Sequence, residues 1–352
     1  MARPRWQRLA IKTVKWTVTL VVLWAVARHV LRTWTDLRDQ SRSFHFESTW
    51  LIVSGILYLA GLVACGRFFE RILRSSPTPV RLLPALRAYL VSHLGKYVPG
   101  KAMVVVVRAG MVVPFGARAS TAAIATFYET LVMMASGGLI AAAGFATAAG
   151  SGRSAGLHAI NFTLPLWGPV TLPLYRLGAW SGLGLGLAFT FLAVPPVFGR
   201  LAGWVSLPIP GVGPEAMPRF TSRLLGEGLL WSSCGWILLG LSQVAVVRSF
   251  DPAGTDALLV FGLVPVVIAS VALATVAGFV VAVLPGGLGV REGVLMSALA
   301  PAIGSDQAVI ASLLLRLVWV AAELAAAAIL FPFCRHPPSD AKSPLQTGPD
   351  YS

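Results

Sequence analysis

Long apolar runs alternate with short polar links along almost the whole of this chain. The runs are Trp16–Leu31, Trp50–Gly66, Ala119–Ala149, Leu177–Phe198, Leu229–Val247, Leu258–Leu284 and Ala308–Phe333. A helix needs roughly 20 apolar residues to cross a bilayer, and each run is read as one span. Two shorter pieces, Leu82–Val113 and Gly293–Ala302, read as half-helices or re-entrant segments. The pattern predicts an all-α, polytopic integral membrane protein with about seven to eight transmembrane helices. Residues 1–15 form a basic N-terminus, 16–333 the transmembrane domain and 334–352 a polar, disordered tail.

One stretch interrupts this pattern sharply. Leu284-Pro285-Gly286-Gly287-Leu288-Gly289-Val290-Arg291-Glu292-Gly293 directly follows the longest apolar stretch before it in the second half of the chain. Proline lacks the amide donor and glycine is costly in a helix, so no helix runs smoothly through Pro285, Gly286, Gly287 and Gly289. Irregular backbone at membrane depth is tolerated only where protein buries it or where it lines a wet cavity.

A similar order occurs earlier. Val98-Pro99-Gly100-Lys101 is followed by Arg108, Pro114, Gly116 and an Ala122-Ala123-Ile124-Ala125 core leading to Glu129. The second copy runs from Pro285-Gly286-Gly287 through Arg291, Pro301, Gly304 and Ala308-Val309-Ile310-Ala311 to Arg316. Each reads as a break, a short apolar piece, a proline and a long helix with one charge about four residues beyond the Ala-x-Ile-Ala core. Paired interrupted segments in two halves point to a transporter's midplane site. Whether the copies are parallel or inverted depends on the span count.

Composition narrows the class. Apolar residues make up 56% and charged residues 12%, with mean hydropathy +0.75. A soluble domain carries about 25% charged residues. The net charge of +14 is spread in short clusters between the runs, as the positive-inside rule expects, and does not mark a nucleic-acid surface. Arg3, Arg5, Arg8, Lys12 and Lys15, with no acid among them, place the N-terminus in the cytoplasm, as they do the cluster from Arg67 to Arg87. The Gly150–Arg176 link is expected outside. Ala25-Val26-Ala27 resembles a signal-peptidase site, but a retained first helix is the simpler reading. Cys65, Cys234 and Cys334 show no metal spacing, and neither metal nor cofactor is expected.

The remaining charges are sparse, and several fall inside apolar segments. Glu129, Arg316 and Glu323 lie within runs; Arg291 and Glu292 follow the second break; His93, Lys96, Tyr97, Lys101 and Arg108 surround the first. Ionisable groups at membrane depth are functional candidates by default. Together they suggest a polar cavity for a zwitterionic or anionic lipid head group, with Arg and Lys on phosphate and Glu on an amine or a proton. The bland alternative is a set of salt bridges that fixes helix packing, with Glu129 paired to Arg316. Glu227 and Arg248 flank a span and read as interface residues. Met133, Met134 and the tryptophans read as lipid-facing or belt residues.

The Pro285–Gly293 motif resembles the signature of the lysylphosphatidylglycerol synthase transmembrane-region family, also called flippase-like. Leu94-Gly95-Lys96-Tyr97-Val98-Pro99-Gly100-Lys101, Arg108, Glu129 and Arg316 are also similar to its pattern, over roughly residues 10–333. The resemblance implies transport of a phospholipid, aminoacylated phospholipid, glycolipid or hopanoid-type lipid across the bacterial inner membrane. No stretch here is polar and long enough for the aminoacyl-transferase domain that accompanies the region in multiple peptide resistance factors, so synthase activity is not expected. No GxxxxGK(S/T) motif is present for nucleotide hydrolysis. The expected partners are membrane lipid and a lipid-synthesis enzyme, with no nucleic acid. The rival readings are an intramembrane lipid-modifying enzyme and a non-transporting partner of a lipid-synthesis complex.

Overall fold

The computed structural model describes residues 46–97, 102–150, 159–164, 168–206, 217–260, 262–280 and 290–330, with Trp24, Arg28, Leu31 and Thr35 as single positions. The described helices are α1 Ser48–Arg74, α2 Leu82–Ser92, α3 Ala102–Val112, α4 Ala119–Gly150, α5 Leu174–Ala193, α6 Pro195–Ser206, α7 Ser222–Phe250, α8 Pro252–Val260, α9 Val264–Val280, α10 Val290–Ile303 and α11 Ser305–Leu330. Four of them are long and apolar enough to cross a membrane, or five spans if the bent pair α5–α6 counts as one. Between α4 and α5 a short antiparallel hairpin pairs β1 (Ala159–Leu164) with β2 (Gly168–Pro173), in a link for which the sequence suggested no element.

The bundle is organised on one seam. Helices α1 and α7 run antiparallel and touch at every seventh residue. The Glu47 amide, just before α1, donates to the Ser249 carbonyl at 2.8 Å, and Ser54 Oγ donates to the Ser242 carbonyl at 2.9 Å. A Cβ on Gly61 would lie 3.0 Å from the Gly235 carbonyl, and one on Gly228 2.3 Å from Phe68 Cζ. Small residues let two membrane helices approach this closely, so that dispersion and interhelical hydrogen bonds hold them without any hydrophobic drive. Helices α4 and α5 make a second close antiparallel pair, in which a Cβ on Gly138 would lie 2.5 Å from the Gly186 amide.

Around the seam one arrangement occurs twice. Helix α1 is followed by the hairpin α2–α3, then Gly116 with φ +97°, then the long α4. Helix α7 is followed by α8, the pair α9–α10, then Gly304 with φ +90°, then the long α11. Left-handed backbone suits glycine, and both glycines turn the chain from the short helix into the long one. The packing is crosswise: α4 lies against α7, and α11 against α1. Since α1 and α7 hold the same place in their units and run antiparallel, the two units have inverted topology. That answers the question the sequence left open.

Two predicted spans are broken. Leu177–Phe198 bends by 65° where α5 gives way to α6, because Pro195 and Pro196 supply no amide to continue the helix. Leu258–Leu284 is divided into α8 and α9 by a turn at Gly262, with φ +63°, just before Pro265. Hydropathy passes over both breaks because the proline and glycine are set in apolar sequence. The first run, Trp16–Leu31, lies outside the described residues except at Trp24, Arg28 and Leu31, which are helical.

Candidate functional site

Between the two units lies a cavity of about 270 Å³. A single water needs about 10–15 Å³ of such space, so the cavity has room for a ligand much larger than a water molecule. Its walls come from α1, α2, α3, α4, α7, α9, α10 and α11. Phe127 on α4 is part of the wall and is 55% exposed.

On the first unit, α2 runs into a 3-10 turn, His93–Tyr97, and the chain doubles back into α3. The return is tight: a Cβ on Gly95 would stand 2.8 Å from the Val104 amide. Helix α3 is a valine run with Arg108 as its single charge. Val106 faces outward at 58% exposure, while Arg108 turns inward at 2%. Arg108 Nη1 donates to Glu129 Oε2 at 2.9 Å, and Arg108 Nε donates to Ser92 Oγ at 3.0 Å. Tyr89 donates its hydroxyl to Glu129 Oε1 at 2.9 Å and lies under the guanidinium, 4.2 Å from ring centroid to Cζ. Isolated charges at membrane depth are expensive, and this arrangement pairs both and satisfies both carboxylate oxygens.

The second unit carries the same device with the signs exchanged. Glu292 is on the short helix α10 and Arg316 on the long helix α11, and they form an ion pair. Glu129 follows Gly116 by 13 residues and Arg316 follows Gly304 by 12, which sets each charge at a matching level on its long helix. The expected pairing of Glu129 with Arg316 is therefore corrected: both line the cavity, but each is paired within its own unit. The residue of opposite sign that satisfies each one lies across the local turn, closer in the chain than the other half.

A third pair crosses between units. Lys96, in the 3-10 turn, bonds Glu323 on α11, which also accepts from the Tyr58 hydroxyl. Lys96 Nζ lies 5.1 Å from the Tyr97 ring centroid. Tyr58 stacks on Trp319 at 4.3 Å between centroids, and Arg291 places its guanidinium 4.5 Å from the indole centroid. Trp319 is held by donating to Ser242 Oγ at 3.0 Å, so the serine contact of the α1–α7 seam fixes the cavity wall.

Lys96, Tyr97, Arg108, Glu129, Arg291 and Arg316 thus line one cavity with His93. Glu292 and Glu323 reach it through their partners. Lys101, Pro99, Gly100, Pro285, Gly286, Gly287 and Gly289 lie outside the described residues. Tyr58, Tyr89, Ser92 and Trp319 were not singled out in the sequence; an aromatic in an apolar helix carries no mark of facing a cation. Met133, Met134 and Trp319 line the cavity and are not lipid-facing belt residues. Glu227 binds Arg71 and Arg223, and Arg248 binds Asp256, as flanking residues. No group of His, Cys, Asp and Glu among the described residues could hold a metal.

The model of one protein family, described as Lysylphosphatidylglycerol synthase TM region, matches residues 11–327. No curated protein matches the chain.

Proposed function

The chain belongs to the lysylphosphatidylglycerol synthase TM region family, and from that premise we propose that it is a lipid translocase of the bacterial inner membrane. It is a multi-pass membrane protein built from two inverted units. The observation that carries the reading is the cavity of about 270 Å³ between those units, in which Arg108, Glu129, Arg291, Arg316 and Lys96 stand among apolar and aromatic walls. A head group enters the cavity and meets its charged groups while its acyl chains stay in the bilayer. The ion pairs replace the hydration that the head group gives up. No bond in the lipid is made or broken, and the protein acts as a carrier and not as an enzyme. The family name and the cavity fit a phospholipid, an aminoacylated phospholipid, a glycolipid or a hopanoid-type lipid.

The test is leaflet exchange of fluorescent phospholipid in vesicles reconstituted with the purified protein, read by quenching of the outer leaflet. Wild-type protein is expected to expose the inner-leaflet probe, and Glu292→Gln, which keeps the side chain's shape, to abolish that exposure. Protein-free rates with the wild type would favour an accessory role beside a lipid-synthesis enzyme.

A further inference from the structure

We propose that the cavity selects a lipid whose head group carries a phosphate anion and no free amine, and that Arg291 is the residue that holds the phosphate. This rests on the translocase reading for the occupant being a lipid, and narrows that lipid to the acidic phospholipids.

An aminoacylated head group presents ammonium groups, and these need an acid to receive them. Glu129 is 2% exposed, with one oxygen taken by Tyr89 and the other by Arg108. Glu292 is taken by Arg316. Glu323 is 1% exposed and taken by Lys96 and Tyr58. Its second oxygen has no hydrogen bond, but it is sealed from solvent and outside the cavity wall. Every acid of the cluster is engaged before a ligand arrives.

The cations are not. Lys96, Arg108 and Arg316 each have a carboxylate, whereas Arg291 has none among the described residues. Four cations therefore face three carboxylates. The two breaks, 98–101 and 281–289, contribute Lys101 to the sequence and no acid. Arg291 lies over the Trp319 indole, and that contact fixes the guanidinium while leaving its N–H donors for other partners. A planar fork of donors matches two phosphate oxygens. Removing this surplus cation from water without an anion would be costly at this depth. A phosphodiester neutralises it; a lysyl head group, with two ammonium groups on one phosphate, adds to it.

The experiment is competitive lipid binding to the detergent-purified full chain, read by native mass spectrometry, with phosphatidylglycerol against lysylphosphatidylglycerol. Wild-type protein should prefer phosphatidylglycerol by at least tenfold. Arg291→Gln should bring that preference below threefold, and Arg291→Lys, which keeps the charge and loses the fork, should fall between. Equal affinities in the wild type, or an unchanged ratio in both variants, overturn the proposal. Millimolar glycerophosphate that displaces phosphatidylglycerol would also overturn it, since the occupant would then be a soluble anion. Leaflet exchange separates the two claims. Selective binding without exchange defeats the translocase reading and leaves this one standing. Exchange of lysylphosphatidylglycerol at the rate of phosphatidylglycerol defeats this one alone.

Discussion

Arg108 and Glu129 face each other at 2.9 Å across the turn at Gly116, with only 2% and 3% of their side chains exposed. Breaking a buried pair by removing one partner costs about 3–5 kcal/mol, because the other charge is stranded. Arg108→Gln and Glu129→Gln should each lower the melting temperature in detergent. The double variant should lose at least about 1 kcal/mol less than the two single losses added together. Strict additivity would show that the pair is not coupled.

The second pair offers a test by exchange. Glu292→Arg together with Arg316→Glu gives the second unit the charge order of the first. Either change alone places like charges together and should abolish lipid exchange. The two together are expected to restore a measurable fraction of the wild-type rate. Glu129→Leu and Arg316→Leu, which the structure pairs with other residues, should by contrast combine without a coupling energy.

The seam between α1 and α7 predicts opposite outcomes for two glycines of one helix. A Cβ on Gly228 would fall 2.3 Å from Phe68, whereas one on Gly226 meets nothing within 4 Å. Gly228→Ala should destabilise by about 1–3 kcal/mol through overpacking. Gly226→Ala should stabilise by up to about 1 kcal/mol, from helix propensity alone. Thermal unfolding of both variants decides it, and equal shifts would refute the seam.

At Gly304 the backbone has φ +90° and a Cβ would meet nothing within 4 Å. Gly304→Ala should therefore cost about 1–2 kcal/mol from conformation alone. Gly304→Asn should cost less, since asparagine tolerates left-handed backbone better. A larger loss for Asn than for Ala in thermal unfolding would contradict this.

Topology follows from the antiparallel seam. The Arg219 amide donates to the Ser75 carbonyl at 3.3 Å, so the end of α1 and the start of α7 share one side of the membrane. Cysteines at Pro79 and Ser222, both exposed, should react alike with an impermeant reagent. With the basic N-terminus inside, both should be protected in intact cells, while Ser154→Cys in the 150–176 link should react. Unequal labelling of Pro79→Cys and Ser222→Cys would break the seam model.

Much of this architecture was readable from the chain, because hydrocarbon permits few solutions. Apolar length marked α1, α4, α7 and α11, and the scarcity of ionisable residues inside apolar runs picked out Arg108, Glu129, Arg316 and Glu323. The order of prolines and glycines found the duplication, and Gly116 and Gly304 prove to be its two hinges. Pairing was not legible. Glu129 has opposite charges available in Arg108 and Arg316, and sequence spacing does not say which helix returns towards it. The break before α9 was lost because Gly262 and Pro265 sit among valines and leucines. The aromatic wall of Tyr58, Tyr89 and Trp319 was lost for a similar reason: lipid and cavity both accept aromatic rings, and only the fold distinguishes them.

The two ion pairs, alike in placement and opposite in sign, differ in how far water reaches them. The Arg108–Glu129 pair is dry, while Arg316 and Glu292 have 15% and 14% of their side chains exposed. In an object with a two-fold axis, such a difference is a broken symmetry: one lock is closed and its counterpart is ajar. Trading the two environments would give a second arrangement in which the Arg108–Glu129 pair is the wetter one, using the same kinds of contact. The conformation described here would then be one of a mirror-like pair, and the free energy between them would come only from residues the two halves do not share.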